Sequence, residues 1–263
     1  MKRHLRLFAL YFAQYAKVRL EYKGDFFIAF FSSMAATVLG FGFVLVLFTK
    51  IPKLQDWGFY EILFLYGFSL IPLGFFNVVS WNLYQFGNIY IIQGKFDRIM
   101  LRPVHTLFQV LFEKFRLESL QEVVTGSFVV FIAVKHLGIP WPADDYLWFI
   151  LMVVSGALIY LAVFLMLTAV SFWFEDRVGI VPPVFNMLTF GRYPLTIYNV
   201  FIQFMLSWII PFGFASFYPT THFLGRTNFN TYFYLVPVVA ASFFVLALFV
   251  WNRGVENYSS TGS

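Results

Sequence analysis

Residues 62–94 read ILFLYGFSLIPLGFFNVVSWNLYQFGNIYIIQG, 33 residues between Glu61 and Lys95 without an Asp, Glu, Lys or Arg. About 20 mainly apolar residues are enough for a helix to cross the hydrocarbon core of a bilayer. Charge-free runs recur over 26–49, 146–174, 193–225 and 227–252. Five such stretches in 263 residues predict an all-α, polytopic membrane protein. Function then has to be sought in the short charged segments and in the few polar groups at membrane depth.

Composition narrows the classes further. The chain is 60% hydrophobic and 12% charged, against about 25% charged in soluble proteins. Its 38 phenylalanines outnumber what interfacial aromatic belts use, so many must face lipid or other helices. The length holds one membrane domain and no soluble catalytic domain. The absence of cysteine excludes disulfides, thiolate metal sites and a cysteine nucleophile. The +5 charge does not point to nucleic acid, because 11 of the 18 Lys and Arg residues lie in segments 2–23 and 95–116, beside span ends.

The expected organisation is a helix over 1–24 followed by one membrane domain, 25–263. On the first helix Leu7, Phe8, Tyr11, Phe12, Tyr15, Val18 and Tyr22 share one face. Lys2, Arg3, Arg6 and Lys17 lie opposite, with Arg19 at the edge. That pattern predicts an in-plane amphipathic helix on a lipid surface, ended by Gly24. Spans are expected at about 26–48, 62–83, 105–134, 147–173, 178–191 and 232–251. The third is read as one long helix and the fourth ends before Glu175, Asp176 and Arg177. Pro182, Pro183, Pro194, Pro211 and Pro219 then break the apolar pattern. Irregular backbone at membrane depth survives only where protein or a water-lined cavity satisfies it, so 195–225 reads as re-entrant half-helices. Six crossings put both termini on one side. With the termini inside, 13 basic residues face the cytoplasm and 5 face outward, as the positive-inside rule requires. The expected location is the inner (cytoplasmic) membrane of a prokaryote.

Sites for chemistry on this chain are scarce. His4, His105, His136 and His222 all sit near span ends, without metal-ligand spacing. Glu122 is the carboxylate nearest a helix interior, and Arg192 is the one cation in the broken region. Ion-coupled carriers keep ionisable groups inside their helices, and these spans are nearly bare. No phosphate-binding loop is present: Gly87 and Gly94-Lys95 have the wrong spacing, and Phe96 stands where Ser or Thr would hold magnesium. The chain therefore reads as non-catalytic, without cofactor; any ATP and magnesium belong to a partner.

One cytoplasmic segment is densely patterned: Gly94, Lys95, Phe96, Asp97, Arg98, Ile99, Met100, Leu101, Arg102 and Pro103. Gly94 allows a sharp exit from the preceding helix, and Pro103 stops the next turn. Phe96, Ile99 and Met100 are expected to form one apolar face, with Asp97, Arg98 and Arg102 outward. Such a short helix suits a groove on another protein.

The pattern G-x-F-D-x-x-M-L-R-P between the second and third spans resembles the signature of the ABC-2-type permeases, in the subgroup of short six-helix exporter subunits. Phe115 and Leu117 to Leu120 continue the likeness, as do Ser171-Phe172-Trp173-Phe174, Arg192-Tyr193-Pro194-Leu195, Ile210-Pro211, Tyr218-Pro219 and Phe223-Leu224-Gly225. Met100 replaces the usual Leu, a swap of similar volume. The resemblance implies a permease that pairs with a second permease, the same chain or a related one, on two ATP-binding-cassette ATPase subunits. It also implies that the 1–24 helix and the 94–103 helix touch the ATPases. The first and fifth spans would then meet the second permease, and the segment before the last span would re-enter from outside. Arg192, Tyr193, Pro194, Pro211, Tyr218 and Pro219 become candidates for an outer gate. Ser32, Ala36 and Gly40, spaced by four, mark close helix packing within the bundle or across the dimer. The expected function is efflux of an amphiphilic or hydrophobic compound; the alternative is an ATPase-independent carrier or lipid-handling membrane protein.

Overall fold

The computed structural model describes residues 2–21, 23–174 and 181–259. The readings of Lys2, Arg3, Arg6, Val18, Arg19 and Tyr22 on the first helix, and of Glu175, Asp176 and Arg177, fall on side chains outside that set. Two helices open the chain, α1 (Lys2–Glu21) and α2 (Lys23–Lys50). Gly24 thus lies inside α2 and does not end α1. The long α3 (Phe59–Tyr84) follows and runs on into a π-helical turn, Gly87–Ile92. Then come two short helices, α4 (Lys95–Met100) and α5 (Thr106–Phe112), and two spans, α6 (Leu120–Leu137) and α7 (Ala143–Ala169). After α8 (Ser171–Phe174) the chain breaks into α9 (Val181–Met187), a 3₁₀ turn Leu188–Arg192, α10 (Val200–Phe204), α11 (Phe212–Ala215) and α12 (Phe217–Phe223). The last helix is α13 (Asn230–Asn257).

Among the described residues five helical stretches are long and apolar enough to cross a membrane: Gly24–Lys50, Phe59–Ile92, Leu117–Leu137, Ala143–Phe174 and Thr227–Asn257. The fold is an all-α membrane bundle around α3, which is buried on nearly every side. Helices gain little from hydrophobicity when the solvent is itself hydrocarbon, so close packing holds them. A Cβ on Gly126 of α6 would stand 2.6 Å from the Gly67 carbonyl of α3. That approach is open only to glycine.

Two expectations need correction. The third span is not one helix over 105–134. It breaks between Phe112 and Leu117, and the crossing helix begins at Leu120. The break is stabilised from α3: the Arg116 amide donates to the Val78 carbonyl at 2.8 Å, and Asn82 Nδ2 donates to the Lys114 carbonyl at 3.2 Å. Nor is 178–191 a span by itself. Residues 178–180 lie outside the described set, and the helical run 181–192 is too short for a core of about 30 Å.

The chain nevertheless crosses once between α8 and α13. Phe172 of α8 packs on Phe96 and Phe86, whereas Arg226, just before α13, binds Glu61 at the opposite end of α3. The crossing is made by broken pieces, with Val200–Ile209 and Phe212–Phe223 meeting at 72°. Phe8 of α1 packs on Phe112, and Tyr258 past α13 binds Asp97. Both ends of the described chain therefore lie at the α4 end of the bundle.

Candidate functional site

Gly94 leaves the α3 extension in a left-handed conformation, φ 67°, which turns the chain into α4. Phe96 is fully buried and Ile99 nearly so, whereas Met100 and Leu101 are exposed, Leu101 by 85%. The expected apolar face is therefore split. Phe96 and Ile99 point into this chain, and Met100 lies outside with Lys95, Arg98, Leu101, Arg102 and Pro103. Phe96 is not a contact for a partner. Its ring meets Tyr258 at 5.0 Å, Phe172 at 5.1 Å, Phe86 at 5.7 Å and Trp251 at 6.3 Å. Those rings belong to the α3 extension, α8, α13 and the segment after it, so one side chain joins α4 to three elements. Gln109 Nε2 donates to the carbonyls of Ile99 and Val104, closing the turn behind α4. Tyr258 donates to Asp97 Oδ1 at 3.0 Å, so Asp97 is engaged within the chain and not simply outward. Burial, and then that bond, pushes the Tyr258 hydroxyl up to about 12, which keeps it protonated and donating at physiological pH.

At membrane depth Arg192 ends the 3₁₀ turn and reaches α2 and α3. Its guanidinium lies 5.6 Å from the centre of the Tyr66 ring, and its Nε is buried without a hydrogen-bond partner. Tyr66 lies seven residues into α3, roughly 10 Å from the end of that helix opposite α4. Tyr193 packs edge-on against Phe43 of α2. Pro194 precedes the 3₁₀ turn Leu195–Ile197, and Pro211 stands at the 72° bend. Tyr218 and Ser207 share a hydrogen bond of 2.8 Å across that bend, and the Tyr218 ring stacks on Tyr232 of α13 at 4.6 Å. Pro219 sits in the first turn of α12, where the missing N–H costs no helical bond.

The small-residue stripe of α2 also divides. Gly40 faces the bundle: a Cβ there would stand 2.4 Å from Tyr66 Oη and 3.6 Å from an Arg192 nitrogen. Ser32 and Ala36 are exposed. Ser33, Thr37 and Gly40 make the approach instead. Gln121 Nε2 of α6 donates to Ser33 Oγ at 3.1 Å and Thr37 Oγ1 at 3.2 Å, and Tyr66 donates to the Thr37 carbonyl at 3.1 Å. Beside this polar seam, Asn77 Nδ2 of α3 donates to Glu122 at 2.8 Å.

Residues 33–262 match the family model described as ABC-2 family transporter protein. The chain belongs to that family. None of the curated proteins and none of the solved structures matches it. In this ABC-2 permease the sequence reading missed three arrangements. One is the seam just described. The second is a clamp at the end of the bundle opposite α4: Arg226 binds Glu61 at 2.8 Å and the Asp56 carbonyl at 2.8 Å, and lies 3.7 Å over the Trp57 ring. Trp57 Nε1 donates onward to Thr196 Oγ1 at 3.0 Å, and His222 of α12 meets Asp145 of α7 at 3.2 Å. These charges flank spans and read as topogenic one by one; only the structure shows their pairing over long sequence separations. The third is a cavity of about 790 Å³ between α1, the start of α2, Trp81 of α3 and the break before α6. Asp25, Arg102, Glu113, Lys114, Arg116 and Glu118 line it, with Tyr11, Tyr15 and Phe115.

Proposed function

We propose that this permease exports an amphiphilic compound, driven by separate ATPase subunits that dock at the α4 end. One observation carries the reading. The exposed ridge of Arg98, Leu101 and Arg102 stands on a buried ring cluster that connects it to α3, α8 and α13. A push on the ridge reaches elements that cross the whole bilayer. On this reading the α4 end is cytoplasmic, as the basic residues indicate. The ATP and magnesium reside on two partner ATPases, a second permease completes the transporter, and the membrane is the inner membrane of a prokaryote. Arg192, Tyr193, Pro194 and the Pro211–Pro219 pieces form the outer gate, with the Arg226 clamp holding it shut.

Co-expression with the cognate ATPase tests the docking. The wild-type pair is expected to copurify and to hydrolyse ATP, while the permease alone hydrolyses none. Leu101→Asp and Arg98→Glu should release the ATPase without changing permease expression or Tm, because both side chains are exposed. Undiminished copurification and transport in both variants would overturn the docking. Transport by the permease alone, without nucleotide, would support the carrier reading instead.

A further inference from the structure

We propose that the cavity at the α4 end binds the head of a zwitterionic amphiphile, one carrying a phosphate and an ammonium. Its volume of about 790 Å³ lies in the range of roughly 300–1,000 Å³ typical of small-ligand sites. The charge arrangement selects the ligand. Two of the lining carboxylates are engaged inside the protein: Glu113 accepts from the Tyr90 hydroxyl, and Glu118 pairs with Arg116 at 3.6 Å. Arg102, Lys114 and Asp25 line the same space, and among the described residues none of the three has an ion pair. Among the described residues the lining carries three cations and three anions. A purely anionic head would leave Asp25 facing it, and a purely cationic one would face Arg102 and Lys114. A head with both signs satisfies both, its phosphate on Arg102 and Lys114 and its ammonium on Asp25.

Position fixes the amphiphile. Asp25 stands in the first turn of α2, where a membrane span leaves the interface. Directly beyond it Phe27, Ile28 and Phe31 are exposed by 53%, 69% and 61%. A tail would therefore continue along the lipid-facing side of α2 while the head stays in the cavity. The inference names the cargo class of the exporter proposed above and rests on that reading for its meaning.

Isothermal titration of the purified permease, without ATPase, in maltoside micelles tests it. The probes are dihexanoyl phosphatidylethanolamine, dihexanoyl phosphatidic acid, dihexanoylglycerol and free phosphoethanolamine. The first is expected to bind, the acid about tenfold more weakly, and the other two not measurably, tenfold being one charge-assisted contact. Asp25→Asn should weaken phosphatidylethanolamine about tenfold and leave the acid unchanged, whereas Lys114→Gln should weaken both. Equal binding of dihexanoylglycerol, equal binding of the acid to the wild type, or tight binding of free phosphoethanolamine would each overturn the proposal. The wild-type series stands even if a variant fails to fold. A zwitterion that binds here but is not exported by the assembled complex would sink the exporter reading and leave the site intact.

Discussion

Phe96 and Leu101 sit five positions apart and divide the labour of α4. Phe96 is fully buried among rings, so Phe96→Ala removes packing on the α3 extension, α8 and α13 together. A loss of about 3 kcal/mol is expected, read as a lower Tm in detergent, with coupling lost as a consequence. Leu101→Asp should leave Tm unchanged and lose coupling alone, so the two variants separate transmission from contact. Gly40 offers a second test. Gly40→Ala places a methyl against Tyr66 Oη and should cost about 1–3 kcal/mol through overpacking. Tyr66→Phe removes the clashing oxygen, so the double variant should be more stable than the single costs sum to. Additive Tm losses would show that the clash lies elsewhere.

Among the elements, α2 is the least embedded span, and its inner side meets the bundle through polar groups at Ser33 and Thr37. In hydrocarbon an interhelical hydrogen bond contributes about 0.6–2 kcal/mol. Gln121→Leu deletes two of them and should loosen α2 by about 1–2 kcal/mol. Because the natural chain has no cysteine, Ser33→Cys gives a single label. Its reaction with a water-soluble maleimide should speed up when Gln121→Leu is added, and an unchanged rate would mean the seam does not hold the helix. Hydropathy made the spans legible because lipid imposes length and composition on any crossing helix. It could not reveal the seam, since Ser33 and Gln121 are 88 residues apart and nothing local to either says which polar group it meets. The same limit hid the break at Glu113–Arg116: the carbonyl that satisfies the Arg116 amide is supplied by Val78. The surface of α4 was half legible. Gly94 and Pro103 announce the turn, but which side of a six-residue helix faces inward depends on rings contributed by α8 and α13.

At the scale of the molecule, rings pack at both ends of the bundle, Phe96 with Phe86 and Phe172 at one and Phe223 with Trp141 and Phe149 at the other. The far end adds the charged cluster of Arg226, Glu61, Trp57 and Asp56, with His222 and Asp145 beside it. Arg226→Gln removes a hydrogen-bonded charge pair and should lower stability by about 1–2 kcal/mol, discounted for partial exposure. The sharper readout is leak: vesicles carrying the variant complex should release a preloaded amphiphilic dye faster without ATP. An unchanged leak with a lowered Tm would make the clamp a structural brace and not a gate.

Pulling the rings around Phe96 apart loses about 0.5–1.5 kcal/mol per pair beyond the surface it exposes, and a withdrawn ring leaves a cavity behind it. A joint of this material is two-way: it delivers a shove and holds under a tug. On the proposed docking, ATPases closing on Leu101 and Arg102 drive the spans, and their parting draws the same spans back through the same rings. The transporter would then work like a crank on a stiff rod, with both strokes timed by the ATPases.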